Sequence, residues 1–420
     1  MKILILGINY QPEPVGIGPY TADMARSLVA AGHEVAVVCG KPYYPHWRVE
    51  PGYAGPARRT VEDGVRVTRV PLHVPKTPTG LQRVIHHASF TLSAQMSMLA
   101  AARRQRPDVV IAIAPSLIST VAARITARLF GAQLWLHIQD FEVEAAFATG
   151  LLRQKGLLAR AALAFEKWSL GADRVSTISP QMCKKLIERG IAPDKVVEFR
   201  NWSDLTRIMP LTAPSPYLDE WAIDRPMVAL YAGNIANKQG LEIIVEAARL
   251  LEHRKDLLFA VCGDGPSRSR LVESAAGLSN IRFFDLQPAE RLSDLLGMAT
   301  IHLLPQIADA ADLVLPSKLV NMLASGRPVV ATASLGTGLA QEVAGCGIVV
   351  PPGDSAAFAT AIERLADDVA LRAELGIAAR ARAEERWSKV QILDRFEKSL
   401  RTIVEPPTDA IQSTGFLRQE

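Results

Sequence analysis

The chain has 420 residues, more than one hydrophobic core of ordinary size can organise, so its length predicts two domains. It is 49% hydrophobic and 21% charged, as is typical of a globular protein, and 47 Lys and Arg against 43 Asp and Glu leave a net charge of +4. That charge is too small to indicate nucleic-acid binding. The four cysteines lie far apart without a CxxC pair, which argues against a zinc site and a disulfide framework and favours a reducing compartment.

The opening of the chain predicts neither an export signal nor a membrane span. The apolar run after Lys2 ends at Asn9, which is shorter than the core of a signal peptide. No stretch of the sequence reaches the roughly 18 to 20 apolar residues of a spanning helix. We therefore expect a cytoplasmic protein that is either soluble or peripheral to the membrane.

A βαβ unit is predicted at the start of the chain. A strand at 3–7 precedes a glycine-bearing loop, a helix at 21–31 and a strand at 35–39, an order that favours a parallel sheet covered by helices. Gly16 and Gly18 lie just before the helix, where backbone without side chains lets a ligand approach closely; a need for glycine in the turn alone is the alternative. The second strand lacks the acidic residue of a dinucleotide fingerprint.

The segment 41–59 is predicted to be a long loop rich in Pro, Tyr, Trp, His and Arg. Loops of this length inside a compact domain are typically functional or mobile. Tyr43, Tyr44, His46 and Trp47 either line a wall for a sugar acceptor or pack on one another, and both interpretations stay open.

Further strands are predicted at 65–70, 109–112, 133–138 and 174–178. The third of these runs into the acidic sequence QDFEVE, and ligands of open α/β sheets gather at the carboxyl ends of strands. Asp140 and His137 are therefore the predicted catalytic residues, with Glu142 and Glu144 close by. Such carboxylates can bind sugar hydroxyls or accept a proton from an acceptor alcohol. An acid-rich helix start exposed to solvent is the alternative.

Two stretches, 80–106 and 150–168, combine apolar residues with Arg, Lys and, in the first, His. Basic amphipathic helices can lie on an anionic membrane leaflet. Helices of this kind also cover sheets with their apolar side, so membrane contact is one of two interpretations.

The composition changes after residue 204, and the opening pattern then returns. A strand at 227–232, a glycine-bearing turn at 233–240, a helix at 241–251 and a strand at 257–262 repeat the order of the first elements. The repetition predicts an α/β fold of two similar domains with parallel sheets, facing each other across a cleft.

The segment 313–332 predicts a loop, a short helix and a strand. Pro316 suits the first helical turn and Gly326 a helix stop. One side of the helix is apolar, whereas the other carries Ser317, Lys318 and Asn321. A helix start with free N–H groups, a hydroxyl and an ammonium group suits a phosphate; an ordinary surface helix is the alternative.

The motifs GIG, GHEV, YAGN, CGDGP, PSK and ASGRPVVA, in this order, resemble the retaining glycosyltransferases of family 4, which have the GT-B fold, over nearly the whole chain. The segments QPEPVGIGPYTADMA, KPYYPHW, HIQDFEVEAAF and LPSKLVNMLASGRPVVATA are most similar to colanic-acid (exopolysaccharide) transferases of the fucosyl type. The resemblance implies two Rossmann-like doubly wound domains, a nucleotide-sugar donor, retention at the anomeric carbon, no cofactor and no obligatory metal. The chain has no Asp-x-Asp triplet, which agrees with the last point.

The donor residues that the resemblance implies are partly replaced here. The Arg and Lys of the family's G-R-x4-K-G turn fall on Asn234 and Gln239, with Lys238 displaced by one position. The two glutamates of the family's E-x7-E signature fall on Leu313 and Asn321.

The remaining groups are therefore expected to hold the donor. We expect Lys318 and Ser317, aided by Lys238, to bind the diphosphate, and Asn321 to hydrogen-bond ribose or sugar hydroxyls. The turn at 284–288, which contains Leu286, is expected to cup the base, and Gly263 and Gly265 to shape the loop beside it. The predicted donor-binding set is Gly16, Gly18, Asn234, Lys238, Leu286, Ser317, Lys318 and Asn321.

The predicted domain limits follow from the change of composition after residue 204 and from the polar end of the chain, and the resemblance implies the helix that returns to the first domain. An acceptor-side domain at 1–205 is completed by a returning helix at 387–403, the nucleotide-sugar domain covers 206–386, and 404–420 is expected to be a flexible tail.

Three functional hypotheses follow. The leading one is a glycosyltransferase, with GDP-fucose as the best donor, that extends a lipid-linked oligosaccharide in exopolysaccharide biosynthesis at the inner face of the cytoplasmic membrane. The second is a nucleotide-sugar epimerase or isomerase on the same fold, and the third is a non-catalytic GT-B partner protein. Transfer of sugar to a separate acceptor distinguishes the first from the second, and donor turnover excludes the third.

Overall fold

The computed structural model describes residues 1–14, 16–76, 79–148, 156–203, 205–235, 239–307 and 317–404. The chain forms two compact units, which we call the first unit, 1–201 with the chain from Leu393 onward, and the second unit, Trp202–Ile392. The domain limits expected from the sequence, after residue 205 and at residue 387, lie within six residues of these. The tail expected at 404–420 lies outside the described residues from 405 onward.

The first unit contains one large, mostly parallel sheet. Its strands are β1 (Lys2–Gly7), β2 (Glu34–Gly40), β3 (Arg58–Glu62), β4 (Val65–Val70), β5 (Val109–Ala114), β6 (Gln133–Ile138), β7 (Arg174–Thr177) and β8 (Val196–Glu198). Among the described residues the strand order is β3-β4-β2-β1-β5-β6-β7-β8. All neighbours run parallel except β3 and β4, which pair antiparallel.

Helices cover both faces of this sheet. They are α1 (Ile17–Ala30), α2 (Gly80–Gln105), α3 (Thr120–Phe130), α4 (Glu142–Ala148), α5 (Leu157–Leu170) and α6 (Pro180–Glu188). The connections from β1 to β2 and from β4 to β5 run in opposite directions along the sheet. Because such crossovers are right-handed, α1 lies on one face, and α2, α3, α5 and α6 lie side by side on the other.

The second unit repeats the pattern with six parallel strands among its described residues. They are β9 (Met227–Ala232), β10 (Leu257–Cys262), β11 (Ile281–Phe284), β12 (Ile301–Leu304), β13 (Val329–Thr332) and β14 (Gly347–Val350), in the order β11-β10-β9-β12-β13-β14. The helices are α7 (Pro216–Glu220), α8 (Glu242–Leu250), α9 (Arg268–Ser274), α10 (Leu292–Gly297), α11 (Ser317–Ala324), α12 (Gly338–Val343), α13 (Ser355–Asp367) and α14 (Val369–Trp387). The last helix, α15 (Lys389–Val404), begins in the second unit and belongs to the first unit from Leu393 onward. Two α/β domains with parallel sheets confirm the predicted fold class.

Local sequence explains where several helices begin. Ser179 accepts a hydrogen bond from the N–H of Met182 at the start of α6, and Asp354 and Asp368 cap α13 and α14 in the same way. Several strands are continuous apolar runs, as expected for sheets buried on both faces, and β1 and β10 are buried almost throughout.

The structure corrects two details of the sequence interpretation. The segment 58–62, which falls partly in the predicted loop, is the antiparallel edge strand β3. The first helix begins at Ile17 rather than at residue 21, so Gly18 lies inside its first turn. Among the described residues, no helix is both long enough and apolar enough to cross a membrane.

The C-terminal helix α15 completes the core of the first unit. The ring of Phe396 stacks on that of Phe199, with centroids 4.0 Å apart, and meets Trp135 edge-on at 5.1 Å. His33 contacts Glu397 at 2.8 Å on the same helix. These contacts tie the returning segment to β6, to the residue that follows β8 and to the residue that precedes β2.

Phe396→Ala should therefore destabilise the first unit by about 3–5 kcal/mol, the usual cost of truncating a buried aromatic side chain. The measurement is the urea dependence of unfolding, with exposed Val390→Ala on the same helix as the control. A loss below about 1 kcal/mol would show that α15 is not part of this core.

Three buried histidines predict a pH-dependent stability. Burial lowers the pKa of His86 to about 4 and the pKa values of His137 and His302 to about 3, from an ordinary value of about 6.5. Below pH 6.5 the unfolded chain binds protons that the folded chain does not, so stability falls as the pH drops toward 4. Each such histidine contributes about 1.4 kcal/mol per pH unit.

His302→Gln should reduce that slope by about 1.4 kcal/mol per pH unit between pH 6 and pH 4.5. The measurement is the free energy of unfolding at several pH values, and exposed His253→Gln in the same unit is the control. An unchanged slope in His302→Gln would mean that His302 titrates alike in both states.

Candidate active site

Two glycines allow the loops after β9 and β10 to pack together. The N–H of Gly233 donates to the carbonyl of Cys262 at 2.9 Å, and the N–H of Gly263 donates to the carbonyl of Phe284 at 3.0 Å. Gly263 and Gly265 have positive φ values, and a Cβ at either one would overlap a backbone carbonyl oxygen, that of Gly233 or of Ile235. Their positions account for the predicted role in shaping this loop.

Lys318 brings a positive charge to this turn. Its Nζ donates to the hydroxyl oxygen of Tyr231 at 2.7 Å and lies 4.3 Å from the centroid of the Tyr231 ring. The Tyr231 hydroxyl in turn donates to the carbonyl of Asn234 at 2.6 Å. A Cβ added to Gly233 would lie only 2.8 Å from Nζ, so the absence of a side chain there makes room for the ammonium group.

Tyr231 is suited to orient the ammonium group of Lys318 because its own side chain stays uncharged. Its side chain is buried, and burial raises the pKa of its phenol, which therefore stays neutral. A hydrogen bond and a cation–π contact on one ammonium group restrict where it can lie. The lysine thus reaches the turn at which the family pattern has an arginine.

The other predicted donor residues of the second unit differ in their contacts and exposure. Asn321 lies one turn after Lys318 on α11, and its Oδ1 accepts a hydrogen bond from Ser203 Oγ at 2.7 Å. Asn234 is exposed. Lys238 lies outside the described residues, as does the side chain of Ser317, which begins α11.

The turn after β11 follows an aromatic residue that is stacked on a second aromatic ring. The rings of Trp221 and Phe284 are stacked 3.8 Å apart and nearly parallel, and the Arg282 guanidinium lies 5.1 Å from the Phe284 centroid. Leu286, predicted to contact the base, is 70% exposed on this turn. An apolar side chain so exposed is available to a ligand, and the stacking of Trp221 on Phe284 helps to fix the end of β11.

In the first unit, the predicted glycine turn is built around a carboxylate that sequence reasoning missed. Glu13 is buried and accepts hydrogen bonds from the N–H groups of Tyr43 and Tyr44, both at 3.0 Å, and from Asn9 Nδ2 at 2.9 Å. Burial raises the pKa of Glu13. A Cβ on Gly18 would lie 3.2 Å from Glu13 atoms.

Glu13 therefore joins the Gly16–Gly18 turn to the loop that follows β2. Gly16 has a φ of 76° and faces the Tyr44 ring, which a Cβ would approach to 3.2 Å. The geometry of the turn itself thus requires glycine at positions 16 and 18. Their contact with a donor stays a prediction. The sequence offered one hint of this role, because Glu13 is an acidic residue within a loop that otherwise contains mainly proline, glycine and apolar residues.

The aromatic loop after β2 is partly self-packed. The ring centroids of Tyr43 and His86 are 4.6 Å apart, and Trp47 lies 5.5 Å from each. His46 is exposed and Tyr44 is half-buried. Of the four residues considered for an acceptor wall, Tyr43 and Trp47 are therefore engaged in packing, and the other two lie nearer the surface.

His137 is a core residue, which corrects its predicted catalytic role. Its ring is buried, with Nδ1 2.9 Å from Ser176 Oγ and Nε2 2.8 Å from Gln139 Nε2. Gln139 forms two amide hydrogen bonds with Asn201, both 2.9 Å long. The lowered pKa keeps the imidazole neutral, and no ring nitrogen is left for a substrate.

Asp140 is the acidic residue at this edge that remains accessible. It is exposed, yet desolvation by the surrounding protein, together with the Glu142 carboxylate, raises its pKa. Glu142 accepts from the N–H groups of Ser116 and Leu117 at 2.5 and 2.7 Å and thereby holds the loop after β5.

Glu144 serves the structure of this unit. Lys185 and Arg189 each contact its carboxylate at 2.8 Å. Among the acidic residues after β6, Asp140 therefore has the surroundings best suited to meet an acceptor hydroxyl.

Comparisons with known proteins agree with this architecture. Residues 15–202 match the family described as Glycosyl transferase 4-like domain, and residues 226–368 match Glycosyl transferases group 1. The chain is similar to the colanic acid biosynthesis glycosyl transferase WcaI of Escherichia coli strain K12, with 40% identity over 412 residues, which cover 96% of this chain and 100% of that protein.

Two solved structures share the fold at low sequence identity. Sucrose-phosphate synthase from Thermosynechococcus elongatus has a TM-score of 0.70 and 19% identity, covering 96% of this chain and 99% of that one. Anabaena HepE in complex with UDP has a TM-score of 0.66 and 17% identity, covering 96% and 100%. The two family matches and the full-length similarity show that the chain belongs to the family 4 glycosyltransferases, with the GT-B fold.

Proposed function

We propose that this glycosyltransferase moves a sugar, with GDP-fucose as the best donor, to a lipid-linked oligosaccharide in exopolysaccharide biosynthesis, with retention at the anomeric carbon. The relative named for colanic acid biosynthesis supports the pathway class. Solved neighbours in complex with UDP and UDP-glucose support a nucleotide-sugar donor. A lipid-linked acceptor would place the protein at the inner face of the cytoplasmic membrane.

The observation that carries the proposal is the ammonium group of Lys318 at the Gly233 turn. A diphosphate leaving group gains negative charge as the sugar departs, and a fixed cation near it stabilises that charge. Lys318 also lies in the first turn of α11, where backbone N–H groups and the helix dipole favour an anion. With these groups in place we propose that no metal ion is required.

In the proposed reaction, Asp140 of the first unit receives the acceptor hydroxyl. Its raised pKa brings the carboxylate closer to the range in which it can share a proton with an alcohol. It can orient the hydroxyl by a hydrogen bond before transfer. His137 is buried and neutral on β6, which ends two residues before Asp140, so we propose for it only a role in holding this segment in place.

Lys318→Ala should weaken binding of GDP and GDP-fucose by about 10- to 100-fold, since a charge-assisted hydrogen bond contributes about 1.5–3 kcal/mol. Tyr231→Phe should give a smaller loss, because the ammonium group remains but loses its hydroxyl partner. Calorimetric titration measures both effects. The control is Lys255→Ala, an exposed lysine of the second unit. Donor affinity within twofold of the parent in Lys318→Ala would refute the diphosphate assignment.

Transfer itself is tested with GDP-fucose and a polyprenyl-diphosphate oligosaccharide in detergent. We expect acceptor-dependent release of GDP, and an anomeric configuration in the product, read by NMR, that matches the donor. Asp140→Asn should lower turnover by about 100-fold or more while donor affinity stays unchanged. Conversion of the donor sugar without acceptor would favour the epimerase, and no turnover of any donor would favour the non-catalytic protein.

A further inference from the structure

Helix α2 has two apolar faces, and only one of them is needed for the fold. His86, Phe90, Ala94 and Met98 are buried toward the sheet. Leu81, Ile85, Leu92 and Met96 are exposed, Leu92 to 77% and Met96 to 72%. At 3.6 residues per turn these four lie within an arc of about 60°, opposite the buried set. A helix that merely covers a sheet has one apolar face, so the outward stripe requires a separate explanation.

The neighbouring helices extend this surface. Helices α2, α3 and α5 lie side by side on one face of the first sheet, and α2 packs along α3. Arg124 of α3 lies over the Trp168 ring of α5 at 4.4 Å and donates to the carbonyl of Ser169 at 3.2 Å, which holds these two helices together. Further apolar side chains are exposed on them, namely Ile125, Leu129, Leu157, Leu158, Leu163 and Trp168.

The charge of this surface is strongly one-sided. In a chain with nearly equal numbers of acids and bases, the three helices contain seven Lys and Arg residues and a single acid, Glu166. That acid is buried and paired with Arg189 at 2.8 Å, so it does not offset the cations outside. The exposed cations are Arg83, Arg103, Arg104, Arg128, Arg160 and Lys167. Among the described residues, none of these six forms a salt bridge with an acid.

A surface that combines exposed apolar side chains with unpaired cations fits one kind of binding partner best. An anionic bilayer offers hydrocarbon to Leu, Met and Trp side chains and lipid phosphates to Arg and Lys. Arg103 falls within the same arc of α2 as the apolar stripe, so one helix presents both kinds of group together. A nucleic acid would match the cations but leave the leucines in water.

We propose that the outward face of α2, α3 and α5, which we call the membrane face, docks the first unit on an anionic lipid surface. The inference rests on the proposed function in that a lipid-linked acceptor requires an enzyme at the bilayer. It adds the surface, the lipid charge and the residues that make contact.

The test is flotation of the purified full-length protein with vesicles. We expect binding to vesicles of phosphatidylethanolamine with phosphatidylglycerol, weak binding to vesicles of phosphatidylcholine alone, and weaker binding in 0.5 M NaCl because salt screens the charges. Leu92→Gln with Met96→Gln should reduce binding by about tenfold or more, since two apolar side chains lose their contact with lipid. Ile377→Gln with Val390→Gln, equally exposed in the second unit, is the matched control and should bind like the parent.

A charge variant tests the second component separately. Arg103→Gln with Arg104→Gln should weaken binding to anionic vesicles by about 10- to 30-fold, since each cation near a charged leaflet contributes about 1 kcal/mol, or about fivefold. Because all the substituted side chains are exposed, melting temperatures should match that of the parent.

Absence of binding to anionic vesicles would overturn the proposal, as would equal losses in the α2 variant and the matched control. Vesicle binding and sugar transfer can fail independently. Transfer to a detergent-solubilised acceptor without vesicle binding would refute the membrane face and leave the proposed function intact. Vesicle binding without transfer would do the reverse.

Discussion

Lys318 and Tyr231 come together because β9 ends, and α11 begins, at the carboxyl edge of the second sheet. The lysine can reach that edge only because Gly233 has no side chain there. Gly263 and Gly265, in turn, let the next loop close over the same turn. The position of the Lys318 ammonium group, held by a neutral phenol, thus depends on three glycines and a buried strand. The proposed chemistry of the second unit depends in turn on that ammonium group.

In the first unit, carboxylates rather than glycines fix the loops at the carboxyl edge of the sheet. Glu13 and Glu142 each accept two backbone N–H groups from a loop distant in sequence, and so fix the loops after β2 and β5. Carboxylates committed in this way are not free for an acceptor, whereas Asp140 is exposed and has a raised pKa. The edge therefore separates acids that build the site from the acid proposed to act in it.

Much of the fold was predictable from the sequence because strands such as 227–232 and 257–262 are continuous apolar runs, whereas the strand at 65–70 alternates apolar with polar residues. The strands at 65–70, 133–138, 227–232 and 257–262 begin and end where predicted. β3 was missed because RRTVE is polar and forms a strand only by pairing with β4. His137 was misjudged since both faces of β6 are buried, and Glu13 was overlooked because its partners, Tyr43 and Tyr44, lie about 30 residues away.

The central claim is that the second unit binds the nucleoside diphosphate part of a sugar donor. Its most direct test is thermal unfolding of the purified protein with GDP, UDP or ADP, since a ligand at a hundred times its Kd adds roughly 2.7 kcal/mol to stability. The account predicts a clear rise in melting temperature with GDP and smaller rises with the other two. A selective rise with UDP would contradict the GDP-fucose assignment, and no rise with any of the three would contradict the donor site itself.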